Sequence, residues 1–308
     1  MVWYGIASIR HGAEIRPALV LDDRMFDIQA TATEMGFGDV SGFVSVDDML
    51  LQWPDMAPIL TELAQTATAN SDRLEAFNPG QGEVLPPFST ERLFCAAANY
   101  AEHANEMGTK LANKSERQPY VFMKPGTAVV GHEAAVVLPD ASSMVDWEVE
   151  LGAVIGREAR KISVEDALDV VAGYTIVNDV TARDLNERDD YPFKTDWLWG
   201  KCFDTFAPLG PWLVPSDCIE DPHDLHLQLQ VNDEIMQDSS TGSMIYDIRE
   251  QIAYLTTILT LRPGDVIATG TPTGVGMGRG VFLKPGDVMT ASIESIGSLT
   301  NPVAAETA

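Results

Sequence analysis

Apolar and polar residues alternate from the first positions of the chain. "WYGIASIR" and "RPALVLDDRMFDIQA" carry the period-two pattern of half-buried strands, with a charged turn between them. The pattern then lengthens to a helical period in "SVDDMLLQWPDMAPILTELAQTA", which Pro54 breaks or starts. "AFNPGQGEVLPPFS" reads as a linker because glycine and proline punctuate it. From Leu93 onward short strands dominate: "YVFMKPGTAVVG", "AAVVLP", "VELGAVIG", "VAGYTIVND", "LHLQLQVNDEIMQ", "DVIATGTP" and "DVMTASIESIG". Asn232-Asp233 marks a hairpin turn inside the fifth of these. Helices are expected over "SVEDALDVV", with Ser163 as N-cap, and over "MIYDIREQIAYLTTILT". No repeat, heptad series or low-complexity tract interrupts the pattern. The expectation is a mixed α+β fold, predominantly β, with a small β-rich N-terminal domain over 1–80 and a larger domain over 81–308.

Composition narrows the choice of partner. The chain has 308 residues, 45% of them hydrophobic, enough for a sizeable core. No run approaches the ~20 apolar residues of a membrane helix. The N-terminus shows neither the basic nor the long apolar region of a signal peptide, so a cytoplasmic location is expected. A net charge of -26 repels a phosphate backbone, which excludes nucleic acid as a natural partner. Cys95, Cys202 and Cys218 are odd in number and lack CxxC spacing, against both a disulfide framework and a zinc site.

Against this background "DWEVELGAVIG" stands out. Glu148 and Glu150 are two apart in a strand-like run, so both project from one face, roughly 6.5–7 Å apart along the strand. They must meet water, as on a solvated edge, or share a cation. Asp179 ends the apolar run "GYTIVND", where it caps a turn or adds a third carboxylate. Three carboxylates form an all-oxygen set of the kind preferred by Mg2+, Mn2+ or Ca2+, and they leave positions free for waters or a chelating substrate. In "NYAEHANEMG" a helix would put His103 and Glu106 on one face at i and i+3, as a surface ion pair or as a general base with its orienter. The chain has only seven lysines, yet Lys124 and Lys201 lie in apolar or aromatic runs and require anionic partners. "GTPTGVGMGRG" lacks the Gly-Lys-Ser/Thr ending of a nucleotide loop; its amides and Thr271 could cradle only a small anion.

Taken in order, "NYAEHANE", "FMKPGTAVVG", "DWEVELGAVIG", "VAGYTIVNDVTARD", "GKCFDTFAPLGPW" and "GDVIATGTPTGVG" resemble the fumarylacetoacetate hydrolase family over roughly residues 93–297. The likeness is to its acylpyruvase-like and 2-hydroxyhepta-2,4-diene-1,7-dioate isomerase-like branch. The resemblance implies a β-roll catalytic domain, a homodimer, bound Mg2+ or Mn2+ (with Ca2+ as a substitute) and a small 2-oxo acid substrate. It makes Glu148, Glu150 and Asp179 the metal ligands and His103 with Glu106 the water-activating dyad on a lid. It makes Lys124 a lysine that reaches the substrate and Lys201 a lysine beside the metal carboxylates. Thr271 becomes the grip on the substrate carboxylate, and Arg183 and Asn186 join the substrate contacts, although Asn186 stands where many members have glutamine. The implied reaction is hydrolytic cleavage of the C–C bond of an acylpyruvate or related 2,4-dioxo acid, such as fumarylpyruvate, through a metal-stabilised enolate. The alternative is a lyase or isomerase: an oxaloacetate decarboxylase or tautomerase, or a sugar-acid dehydratase or hydrolase. "LNERDDYPFKTDWLWG", with Trp197 and Trp199, is expected to shape substrate choice.

Overall fold

The computed structural model describes residues 2–38, 42–77 and 82–307, and the counts below refer to these. The middle of the expected linker, 78–81, lies outside them.

An eleven-stranded sheet is the frame, and its main path runs through strands far apart in sequence. Its order is Arg24–Asp27, Glu14–Leu21, Gly5–His11, Ala207–Pro215, Val171–Asn178, Val149–Ile155, Val266–Ala268, Arg92–Ala97 and Tyr120–Pro125. A five-stranded sheet packs against it, built on the hairpins His226–Val231/Glu234–Ser240 and Val288–Ile293/Gly297–Ala305. The first of these turns at Asn232, which takes φ 55°, as the Asn-Asp signal anticipates.

Both faces of the central strands are covered, which explains why "VELGAVI" and "VAGYTIVN" are apolar runs with no polar alternation. On one face Leu151, Ala153, Ile155 and Ile176 pack with Leu227, Leu229, Ala291 and Leu299 of the second sheet and with Ile252 and Leu255 of the helix Ile248–Ile258. On the other, Val154, Ala172, Val177, Leu209 and Val266 meet Leu60, Leu63 and Ala64 of the helix Trp53–Ala69. Each such aliphatic side chain, fully buried, contributes about 1.5–3 kcal/mol.

The N-terminal region holds helices as well as its expected strands: Ile28–Glu34, Val46–Leu51 and Trp53–Ala69. Pro54 falls in the first turn of the last, where no amide hydrogen is needed. The strand Gly5–His11 bonds to Ala207–Pro215 and so extends the main sheet. The expected helix after Ser163 is instead a turn followed by the 3-10 segment Ala167–Val170. Ser163 still accepts the Asp166 amide, but the cap is not followed by a full α-turn. Asp247 and Glu250 form a capping box on Ile248–Ile258. Among the described residues no helix is long and apolar enough to cross a membrane.

Candidate active site

Glu150 lies inside the strand Val149–Ile155, Glu148 immediately precedes it, and Asp179 immediately follows the neighbouring strand Val171–Asn178. The register pairs Val149 with Asn178, so all three carboxylates reach the same end of the pair. Asn178 accepts the Glu148 amide, and the Asp179 amide donates to the Glu148 carbonyl at 2.9 Å. One oxygen from each of the three lies within 4.8 Å of the others, and all three residues are buried.

Three cations share this cluster. Lys201, in the short helix Trp197–Lys201, donates to Glu148 at 2.8 Å and to Asp179 at 2.5 Å. Arg183 donates through Nε to Asp146 at 2.8 Å and brings Nη2 within 2.6 Å of Glu148. Lys124 donates to Asp179 and to the carbonyls of Val180 and Phe206. An ammonium has three hydrogens, so Lys124 has none left. In this arrangement it holds Asp179 from behind.

Glu150 differs from its neighbours. Its contact is the Gly270 amide at 2.7 Å, and among the described residues it has no ion-pair partner. Burial, then the charges of Asp179 and Glu148, push its pKa well above the usual carboxylate range. Burial works the same way on Glu148, but the Lys201 ammonium and the Arg183 guanidinium outweigh it and hold that pKa far below the usual range. Four buried carboxylates, counting Asp146, face three cations, so full ionisation would leave one negative charge unpaired at Glu150, and the raised pKa is the response to that imbalance. The cluster's oxygen-only donors suit a hard divalent cation, which would supply the missing charge.

The second constellation forms as expected. "AEHANE" is a helix, Ala101–Glu106, and both side chains turn inward. His103 Nδ1 faces Glu106 Oε2 at 3.5 Å, a longer contact than a hydrogen bond. Glu106 is anchored by the Gly274 amide, at 3.1 and 3.2 Å from its two oxygens. Burial opposes its ionisation, but His103, the Gly274 amide and Thr273 together lower its pKa. One loop joins the dyad to the triad: its Gly270 amide serves Glu150 and its Gly274 amide serves Glu106.

The "GTPTGVGMGRG" loop turns its amides inward. Gly274 serves Glu106, while Gly276 and Met277 donate to Asp146 at 2.6 and 2.9 Å. Gly274 takes φ +102°, and a Cβ there would lie 2.1 Å from the Met236 carbonyl, so only glycine fits. Thr271 donates to the Val149 carbonyl and accepts from Gln237, both at 2.9 Å, so its hydroxyl braces the strand bearing Glu150. Asn186 lies close against Gly200, one residue before Lys201, and its Oδ1 is buried without a partner. In the expected specificity segment, Trp197 packs edge-on against Tyr120 and Phe122, while Phe193, Leu198 and Trp199 are exposed.

Asp146 and Gln237, both fully buried, are the supports that motif reading passes over. Asp146 had a signal, since Asp146, Glu148 and Glu150 share the same two-residue spacing. An open cleft of about 540 Å3 around Trp3 and Trp212 lies elsewhere, and both indole N–H groups are consumed by the carbonyls of Ser295 and Ile296.

A buried cluster of three carboxylates that could hold a divalent cation, with a His–Glu pair on the loop that serves it, carried on a double-sheet fold, has the make-up of an enzyme active site. The chain belongs to the fumarylacetoacetate hydrolase family, whose C-terminal domain matches residues 92–304. It is 41% identical over 222 residues to the mitochondrial oxaloacetate tautomerase of Xenopus laevis, covering 71% of this chain and 67% of that one. Among solved structures it resembles a fumarylacetoacetate hydrolase from psychrophilic Exiguobacterium antarcticum, with 30% identity and a TM-score of 0.79 over 98% of this chain and 100% of the other. It also resembles the maleylpyruvate hydrolase of Sphingobium sp. SYK-6 in complex with manganese(II) and pyruvate, at 28% identity and a TM-score of 0.73, covering 98% and 100%.

Proposed function

We propose that this chain is a Mg2+- or Mn2+-dependent enzyme that interconverts the keto and enol forms of a short 2-oxo dicarboxylic acid, with oxaloacetate as its model substrate. The observation that carries the reading is the buried triad, with Glu150 lacking a cationic partner and His103 held at its edge. Glu148, Glu150 and Asp179 would hold the ion, which when bound supplies Lewis-acid polarisation of the substrate's carboxylate and 2-oxo oxygens. In the keto-to-enol direction His103 takes a proton from C3 and the 2-oxo oxygen gains one; in the reverse direction the enol oxygen loses its proton and His103 returns one to C3. Glu106 lies beside the His103 ring and orients it. Lys201, with one hydrogen not given to Glu148 or Asp179, adds positive charge where enolate oxygen develops. Arg183, Asn186 and Thr271 shape the walls. The likeness to an oxaloacetate tautomerase supports this choice of reaction.

A second reading keeps the same site. With water between His103 and the distal carbonyl of an acylpyruvate, the dyad would activate that water, and C–C cleavage would release pyruvate. The buried dyad favours it, as does the likeness to maleylpyruvate hydrolase. We place either enzyme in a cytoplasmic homodimer.

The experiment is a substrate panel on purified protein with Mn2+ or Mg2+ and a chelator control. Keto–enol exchange of oxaloacetate without C–C cleavage supports the first reading. Release of pyruvate from acetylpyruvate or fumarylpyruvate moves the protein to the second. Activity that survives complete metal removal overturns both.

A further inference from the structure

Asp146 is fully buried, and its two oxygens receive four donors. Oδ1 accepts the amides of Trp147 at 2.7 Å and Gly276 at 2.6 Å; Oδ2 accepts the Met277 amide at 2.9 Å and Arg183 Nε at 2.8 Å. Two chains of contact leave it. One runs through Arg183, whose Nη2 lies 2.6 Å from Glu148 of the triad. The other runs through the segment 274–279, where the Gly274 amide holds Glu106, the partner of His103. That segment is packed tightly on Glu106: a Cβ on Gly278 would come within 2.4 Å of the Glu106 side chain.

We propose that Asp146 is a positioning residue that links the cation site to the dyad, so that filling the triad firms the loop that seats Glu106. The inference rests on the functional reading above in taking the triad as the cation site and the dyad as catalytic; the chain of contacts between them is a matter of geometry. A carboxylate is required because all four donors are N–H groups. Asparagine would present its own N–H to two of them, and so would lose either Trp147 and Gly276 or Met277 and Arg183. Coupling of this kind is reciprocal: what the ion does to the loop, the loop does to the ion.

The test needs no turnover. Hydrogen exchange is measured on the wild-type protein with and without Mn2+, then on Asp146→Asn and Arg183→Lys. In the wild type, Mn2+ should slow exchange in the 274–279 segment, and both variants should lose that protection. Arg183→Lys keeps the charge but cannot span Asp146 and Glu148, and it serves alone if Asp146→Asn does not fold. Mn2+ affinity, read by its paramagnetic resonance spectrum, should fall by about 10–100-fold in both variants. In Gly278→Ala, kcat should fall and, because the coupling is reciprocal, Mn2+ affinity should fall with it by a smaller factor than in Asp146→Asn; Mn2+ affinity that stays at the wild-type value would count against the link. Introducing Asp146→Asn into His103→Ala should cost less in kcat than it does alone, because the dyad arm is already silent. Protection that Mn2+ does not alter, or that both variants retain, overturns the link. Protection that behaves as expected in a protein with no turnover on the substrate panel would leave the link standing and remove the proposed reaction.

Discussion

On one side of the site, Lys124 gives three hydrogens to Asp179 and two carbonyls, Lys201 bridges Glu148 and Asp179, and Arg183 bridges Asp146 and Glu148. On the other, His103 stands 3.5 Å from Glu106, its Nδ1 has no hydrogen-bond partner, and Glu106 is held to the loop by one amide. The first half is over-determined, which on the proposed reading keeps the ligands of a cation in place with like charges close together. The second is more loosely held, which on the same reading suits a group that accepts and returns a proton. Buried charge is tolerated where it is fully paired, and mobility is left where chemistry needs it.

The comparison can be broken from the rigid side first. Glu150→Gln removes the ligand at which the unpaired charge would sit, and turnover should fall by about 1000-fold or more as Lewis-acid polarisation is lost. Calorimetric titration with Mn2+ should show the lost affinity in the same variant. Lys124→Met leaves Asp179 buried with one partner fewer and should destabilise the protein by about 3–5 kcal/mol, read by denaturant unfolding. If Lys124 instead reached the substrate, that variant would lose activity with its unfolding midpoint unchanged. His103→Ala, on the looser side, should cut turnover by about 100-fold while leaving Mn2+ binding intact.

The smallest effect concerns acid. The Glu106 pKa is held below its unfolded value, so its bonds to the loop stabilise the protein above the ordinary glutamate range. That stability is lost as pH falls through the lowered, folded value. Proteolysis of residues 101–119 should therefore accelerate only below the ordinary carboxylate range. Acceleration already near neutral pH would show that the Glu106–Gly274 bond is not what holds this helix.

The two halves were also unequally legible. Glu148 and Glu150 could be read from a two-residue spacing, and His103 with Glu106 from a helical one, because both are local periodicities. The strands were legible for the same reason. Lys124 was recognised as needing an anion, but which one could not be read locally: its acceptors at Asp179, Val180 and Phe206 lie 55, 56 and 82 residues away. Asp146 sat in plain view in "DWEVE", yet its meaning depends on amides 130 and 131 residues further on. The N-cap at Ser163 was real, but capping alone does not carry a helix when the following residues pack as a 3-10 turn.

The pairing of Gly5–His11 with Ala207–Pro215 bears on how the chain can be cut. The family match begins at residue 92, which invites removal of everything before it. Such a shortened chain would leave Ala207–Pro215 without the partner that Gly5–His11 provides, and would strip Leu60, Leu63 and Ala64 from the face behind Val154 and Val177. An exposed strand edge above an uncovered apolar face is a template for aggregation. The leading segment thus works as a cohesive flank for the catalytic sheet, and its loss should appear as insolubility before it appears as lost turnover.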